Sequence, residues 1–435
     1  MDFIYGPDDI PPKKYLVSFG IQWAAVLLSY VVIIGTVVAG LHFDDFSQQV
    51  WYIQKLLILT GFAVFIQVIA GHRLPAVFGP ATVLLIGIIS SQSFSTDSVY
   101  TSIAIGGIIG IILGTTGLLS HVVRLFTKRV VAVVLMLIVF TMIPTLTGLL
   151  TAAGQGTTPL ESVLFAIALV FIIFTANHFL KGFFRTTLLL WVIILGTGLH
   201  FLLFPHEFSI ISSLPETGIF TGFIGSFEIE PGVLLSFIVC YFALLINDIG
   251  SIQGVSEVLG SDSLKNGRTG IGSRIKRGVL ATGIVNALSG LSGVIGGVNY
   301  STSAGIILDN RSASRWTLIP AAIILIILGI IPQAASVICA IPLVVIGCLL
   351  IYVLTAQFSA SVHVFFKSQK AGLFDFDSGI IVGLPVIIGA IASALPRYIA
   401  DEFPLFLQPV LANGFVMGVI TVLIMEHVIY RKRGE

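Results

Sequence analysis

Long apolar runs alternate with short polar connections along almost the whole chain. A helix that crosses hydrocarbon needs about 20 such residues, and read at that length the pattern predicts fourteen segments. Seven fall at 15–41, 56–71, 76–90, 100–120, 130–150, 160–180 and 186–205. A polar stretch at 206–231 precedes seven more, at 232–251, 278–295, 298–308, 316–340, 342–362, 378–395 and 407–430. The third and tenth are too short to span as helices, and they carry glycine, proline or hydroxyl residues where a helix is weakest. The expected fold is an all-α polytopic membrane protein.

Charge in the connections supports this count independently. One set holds Lys13, Lys14, Arg73, Arg124, Lys128, Arg129, Lys181 and Arg185, then Lys265, Arg268, Arg274, Lys276, Arg277, Arg311, Arg315, Lys367, Lys370, Arg431, Lys432 and Arg433. The alternating set holds Asp44, Asp45, Asp97, Glu161, Glu207, Glu216, Glu228, Glu230, Asp401 and Glu402. By the positive-inside rule the basic set faces the cytoplasm, both termini included. Because seven is odd, residues 1–205 and 206–435 then form two oppositely inserted repeats of seven segments.

Composition agrees with the pattern. Of 435 residues 56% are hydrophobic and 10% charged, with a mean hydropathy of +1.05, whereas soluble domains carry about 25% charged residues. A net charge of +1 gives no reason to expect a nucleic-acid partner. Cys240, Cys339 and Cys348 lie in apolar runs without ligand spacing, and are expected to be buried thiols rather than a disulfide or metal site. The first run is too long for the core of a signal peptide and is expected to be retained.

In inverted-repeat transporters the binding site lies near the midplane, where interrupted helices expose backbone groups. The interruptions here are Gly79-Pro80-Ala81-Thr82 and Asn299-Tyr300-Ser301-Thr302-Ser303-Ala304-Gly305. Each is expected to form a short strand or extended turn before a half-helix, with hydroxyls as N-caps. An acid inside a spanning run is costly and suggests function; Asp248, after Asn247, is the clearest case. At helical spacing Asn247 and Ser251 share a face, with Asp248 about 100° around the helix. Asn247 could hold a ligand while Asp248 takes a proton or cation; the alternative is a cap or an ion pair for Asp248. Gln22 and Trp23 offer an amide and a stacking face in the first run. Asn286 is expected to be a helix-packing contact, and His178, His200 and His427 to mark membrane interfaces. No catalytic dyad, nucleophile elbow, Walker loop or HExxH sequence occurs, so an enzyme is not expected, nor a cofactor or metal.

Three stretches carry a family resemblance: Gly71-His72-Arg73-Leu74-Pro75-Ala76-Val77-Phe78-Gly79; Ile327-Leu328-Gly329-Ile330-Ile331-Pro332 with Ile341, Pro342 and Gly347; and Phe406-Leu407-Gln408-Pro409 with Gly414. Over essentially its whole length the chain resembles the nucleobase/ascorbate transporter family, also called nucleobase cation symporter 2, which includes bacterial uracil and xanthine permeases. The resemblance implies a core domain from segments 1–4 and 8–11, a gate domain from segments 5–7 and 12–14, and short strands in segments 3 and 10. It also implies a homodimer and uptake of a nucleobase driven by protons or sodium.

The binding positions depart from the family pattern. A Gln-His pair in the first segment becomes Gln22-Trp23, and the acid of the eighth becomes Asn247, with Asp248 beside it. The tenth-segment motif falls on Thr302, Ser303, Gly305, Asn310 and Arg311, of which Gly305 and Arg311 fit; Ala81-Thr82 replaces Ser-Phe in the third. A carboxylate only accepts hydrogen bonds, whereas Asn247 also donates, so the edge presented by the ligand is less constrained. The resulting expectation is a secondary active transporter importing a uracil-, xanthine- or purine-like solute by proton symport. Asn247, Thr302 and Ser303 would contact the ligand, Tyr300 or Trp23 would stack on it, Ala81, Thr82 and Gln22 would complete the site, and Asp248 would couple the proton. Sodium coupling and an anion transporter on the same scaffold are the alternatives.

Overall fold

The computed structural model describes residues 3–153, 157–206, 224–260, 270–368 and 376–430. The charged positions Glu207, Glu216, Lys265, Lys370 and Arg268, with Arg431, Lys432 and Arg433, lie outside the described residues. The principal helices are α1 (Lys13–His42), α2 (Phe46–Ile69), α3 (Thr82–Ser90), α4 (Thr96–Thr116), α5 (Lys128–Thr141), α6 (Pro159–Phe179) and α7 (Leu188–Leu203). They continue with α8 (Pro231–Val258), α9 (Ile271–Leu291), α10 (Ser303–Asn310), α11 (Leu318–Ile330), α12 (Leu343–Ser368), α13 (Phe376–Ser393) and α14 (Gly414–Ile424).

Local sequence explains where several of these begin. Asp45 accepts from Gln48 N at the start of α2, Ser95 from Ser98 N at α4 and Thr127 from Val130 N at α5. Thr158 and Glu161 form a reciprocal capping box at α6, and each such bond satisfies an otherwise orphan donor. Pro332 has no N–H to continue α11, and the chain turns by 87° into Pro332–Cys339. Among the described residues, 8 helices are long and apolar enough to cross a membrane, or 9 with that bent pair. The chain is a multi-pass integral membrane protein.

Two short segments are strands before they become helices. β1 (Val77–Pro80) and β2 (Gly297–Tyr300) pair with each other, antiparallel, in the register Val77↔Tyr300, Phe78↔Asn299, Gly79↔Val298 and Pro80↔Gly297. Unpaired peptide groups have no water to turn to inside a bilayer, and each strand supplies the other's partners. Gly297 permits the close approach, since a Cβ there would stand 2.3 Å from the Phe78 ring. The caps differ from expectation. Ala81 and Thr302 occupy the N-cap positions of α3 and α10, and neither makes a side-chain capping bond. The nearby hydroxyl is used differently: Ser303 Oγ accepts from Val77 N at 2.8 Å and donates to Tyr300 O at 2.7 Å, clasping both strands to α10.

The helices pack as two groups. α1, α2, α8 and α9 pack on the strand pair, with α4 against α9 and α11 against α2, and α5, α6, α7, α12, α13 and α14 pack among themselves. The most extensive helix pairing is between α4 and α9, where a Cβ on Gly107 would lie 2.3 Å from Ala287 N and one on Gly283 2.7 Å from Ile111 N. Small residues give helices this backbone proximity in lipid. The groups meet where α1 touches α7 and α12, α8 touches α14, and α3 touches α5.

Candidate functional site

A cavity of about 280 Å³ lies between the two groups. Tyr30 of α1, Asn247, Gly250 and Ser251 of α8, and Tyr300, Ser301 and Thr302 at the β2–α10 junction line one side. Val134 and Ile138 of α5 with Tyr352 and Gln357 of α12 line the other. It extends past Val131 and Val364 toward the helix ends that carry Lys128 and Lys367. No Asp, Glu, Lys, Arg or His lines it among the described residues.

Aromatic packing shapes one wall. The rings of Tyr30 and Tyr300 stack with centroids 4.1 Å apart and planes inclined by 14°. Tyr300 is held from behind because its hydroxyl donates to the Pro80 carbonyl, while the Tyr30 hydroxyl lies 3.3 Å from Thr302 Oγ1. Asn247 and Ser251, four residues apart, point into the cavity from one helix face. This wall offers flat rings, hydroxyls and an amide, a set suited to orienting a planar polar solute.

Asp248, one position on, points away from the cavity and is fully buried. Its Oδ1 accepts from Asn299 N at 3.0 Å and Asn299 Nδ2 at 2.6 Å, and its Oδ2 accepts from Thr282 Oγ1 at 2.9 Å. The network continues on both sides. Gln67 Nε2 donates to Thr282 Oγ1 at 2.9 Å. Asn299 Oδ1 faces His72 Nε2 at 3.0 Å, and His72 Nδ1 accepts from Leu74 N at 2.9 Å. With Nδ1 acting as acceptor, Nε2 must carry the ring proton, so His72 is the neutral tautomer that donates to Asn299. Arg274 closes the far end by donating to the carbonyls of His72 at 3.0 Å and Arg73 at 2.7 Å. Asp248 thus ties β2 to α9, in neither the capping nor the ion-pair arrangement considered from sequence.

The remaining sequence candidates fall into separate places. Gln22 donates to Thr186 Oγ1 and accepts from Asn310 Nδ2 at 2.7 Å, and Trp23 Nε1 donates to Thr317 Oγ1 at 3.0 Å. Both lie outside the cavity lining, roughly 10 Å along α1 from Tyr30 at 1.5 Å per residue. Ala81, Thr82 and Ser303 are buried behind the lining, and Gly305 has open space around its α-carbon. Arg311 adopts a left-handed conformation, φ 49°, at the end of α10. Asn286 pairs with Gly297, accepting from its N–H at 2.7 Å and donating to its carbonyl at 3.1 Å, so it anchors a strand edge rather than a helix seam. His200 is buried against the rings of Phe165 and Phe204. Cys240 and Cys348 are buried and Cys339 is half-buried; all are free thiols. Among the described residues no cluster of His, Cys, Asp or Glu could hold a metal.

Sequence reasoning missed Tyr30, Tyr352, Gln357, Asn299 and His72. Asn299 and His72 stood in stretches already singled out, and Gln357 is an amide inside an apolar run, the signal that drew attention to Gln22. Tyr30 lies two helical turns beyond Trp23, on the same face of α1.

Comparison with known proteins complements the geometry. Residues 14–398 match the model of the Permease family. The uric acid permease PucJ of Bacillus subtilis is 23% identical over 95% of this chain and 93% of its own length. The putative purine permease CPE0397 of Clostridium perfringens is 26% identical over 99% and 93%, and the nucleobase transporter PlUacP of Paenibacillus larvae is 25% identical over 95% and 94%. The transmembrane domain of the cyanobacterial bicarbonate transporter BicA has a similar fold, with a TM-score of 0.61 at 17% identity over 89% of this chain and 99% of that one. The murine anion transporter Slc26a9 in its inward-facing state also has a TM-score of 0.61, at 10% identity over 95% and 68%.

Proposed function

Because the chain belongs to the Permease family, whose members are transporters rather than enzymes, we propose that it imports a planar nucleobase-like solute: uracil, xanthine or a related purine or pyrimidine. The observation that carries this reading is the uncharged cavity of about 280 Å³, walled by stacked Tyr30 and Tyr300 and offering Asn247 and Thr302. That volume is near the lower end for small-molecule sites, and flat rings with few polar groups favour a flat ligand.

The transport cycle we infer uses fourteen segments as a seven-plus-seven inverted repeat. The group holding the strand pair is the core, the other group is the gate, and alternating access comes from their relative movement. Both termini lie in the cytoplasm by the positive-inside rule, in the inner membrane if the cell is bacterial. The cavity runs toward the basic helix ends, which supports reading this as an inward-facing state. At the opposite end Asn413 of the gate donates to Ser90 Oγ at 2.8 Å and Ser236 Oγ at 3.0 Å of the core. Proton symport would act through Asp248. Protonation would discharge the carboxylate that holds Asn299, weaken the two bonds to its Oδ1, and so loosen the strand leading to Tyr300 and Thr302. A homodimer in the bilayer is the proposed assembly.

The second reading is an organic-anion or inorganic-anion transporter, favoured by a lining that holds no carboxylate among the described residues; sodium in place of the proton is a variant of the first. Uptake into proteoliposomes under an imposed proton gradient tests these readings together. Labelled xanthine and uracil should accumulate and should resist competition by sulfate and bicarbonate. Anion-sensitive flux without nucleobase uptake would replace the first reading with the second.

A further inference from the structure

We propose that Gln357 of α12 and Ser251 of α8 select among ring substituents, by donating from opposite walls to carbonyl oxygens of one bound solute. This inference rests on the transport reading above and adds residues and a rule of selectivity to it.

Both groups are donors without a partner. The Gln357 Nε2 and Ser251 Oγ atoms are buried and make no hydrogen bond within the protein, and both residues line the cavity. The contrast with equivalent groups is informative. Ser256, later in the same helix, donates to Ile252 O at 2.7 Å, while Ser29 and Thr36 of α1 donate to Ala25 O at 2.8 Å and Val32 O at 2.7 Å. A buried helical hydroxyl readily bonds the carbonyl four residues back, and Ser251 does not. The amides behave alike: Gln54 Nε2 donates to Gly329 O at 3.1 Å and Gln67 Nε2 to Thr282 Oγ1 at 2.9 Å, each inside the fold. Buried donors left unpaired are costly; Trp51 Nε1, Ser91 Oγ, Thr197 Oγ1 and Ser312 Oγ are unpaired as well, but of these groups only Ser251 and Gln357 line the cavity among the described residues, where a ligand can complete them.

The chemistry of that ligand follows from the atoms. The Gln357 N–H facing the solute calls for an acceptor, the Ser251 hydroxyl can donate to a carbonyl or accept, and Asn247, one turn before Ser251, adds one donor set and one acceptor. A ring carbonyl satisfies Gln357 and can also take the Ser251 proton, whereas an amino group facing Gln357 opposes N–H to N–H. A site built on buried donors rejects a mismatched substituent more strongly than an apolar pocket rejects an extra methyl. Because Ser251 and Gln357 sit on different helix groups, one solute bound to both also holds those groups together.

The test uses the full chain in proteoliposomes, with xanthine against guanine and uracil against cytosine as paired competitors. Gln357→Met should raise the KM for xanthine roughly tenfold, the loss of about one buried hydrogen bond, and Ser251→Ala should act in the same direction. Gln357→Glu, which only accepts, should shift the guanine-to-xanthine preference toward guanine by a similar factor. The melting temperature of ligand-free Gln357→Met should not fall, because the amide donor has no internal partner to lose. Unchanged selectivity in all three variants of a transporting protein would overturn the inference, as would a lowered melting temperature with unchanged KM. A wild type inert toward every nucleobase would remove the transport reading, and this inference with it.

Discussion

Asp248 and Asn299 are joined twice, through the backbone N–H at 3.0 Å and the side-chain amide at 2.6 Å, both on the same carboxylate oxygen. The bond pair fixes a residue of β2 to the helix that carries Asn247, so a change at the carboxylate reaches the cavity through one strand.

Asp248→Asn places an N–H or a weaker acceptor where two donors converge. We expect a folded protein, destabilised by about 1–3 kcal/mol, that has lost proton-driven accumulation. Vesicle uptake across a pH series checks this, and a pH dependence identical to wild type would remove Asp248 from coupling.

Asn247→Leu and Thr302→Val strip polar atoms from the cavity wall without touching the Asp248 network. Each should raise the substrate KM roughly tenfold with little effect on melting temperature. Affinity unchanged in both would exclude these residues from the site.

Gln22→Leu provides a contrast, because Gln22 is spent on Thr186 and Asn310 outside the cavity. Its loss should lower thermal stability by about 1–2 kcal/mol and leave the KM within a factor of two. A large KM effect without destabilisation would bring Gln22 back into the binding site.

Gly297→Ala would push a methyl to within 2.3 Å of Phe78 and 2.9 Å of Gly79 O. Overpacking of that kind costs about 1–3 kcal/mol, and here it should part the strands and abolish uptake. Wild-type activity and melting behaviour would show that the register is less constrained.

Asn413→Ala removes both contacts across the end opposite the cavity mouth and the cap on α14, whose Phe415 and Val416 N–H groups bond to Asn413 Oδ1 at 3.1 and 3.2 Å. Reaction of a Thr141→Cys thiol, at a buried position of the cleft lined by Ser90 and Asn413, with a membrane-impermeant maleimide should rise several-fold from the outside. Labelling equal to that in the unaltered Asn413 background would mean that these bonds do not hold the outer side shut.

Which parts of this were legible in the chain has a physical explanation. The long apolar runs declared themselves because lipid tolerates only internally bonded backbone, and the two interruptions showed at Gly79-Pro80 and at the polar stretch from Asn299 to Gly305. The shared face of Asn247 and Ser251 followed from helical spacing alone. Spacing could not say which of Asn247 and Asp248 faced the cavity, since a rotation of about 100° exchanges them. Gln22 and Trp23 look like site residues in isolation; their partners Thr186, Asn310 and Thr317 are distant in sequence, and only packing shows them occupied. Tyr30 gave the opposite error, an ordinary tyrosine in an apolar helix until Tyr300 lies against it.

The pairing of Val77 with Tyr300 and Pro80 with Gly297 joins positions more than two hundred residues apart. During synthesis the early strand has no companion until the late one leaves the ribosome. The first half must therefore wait in the translocon or the surrounding lipid with its peptide groups provisionally satisfied. A polypeptide truncated before residue 297 keeps Tyr30, Val134 and Asn247 but lacks Tyr300, Thr302 and all of α12, so neither wall of the cavity is complete.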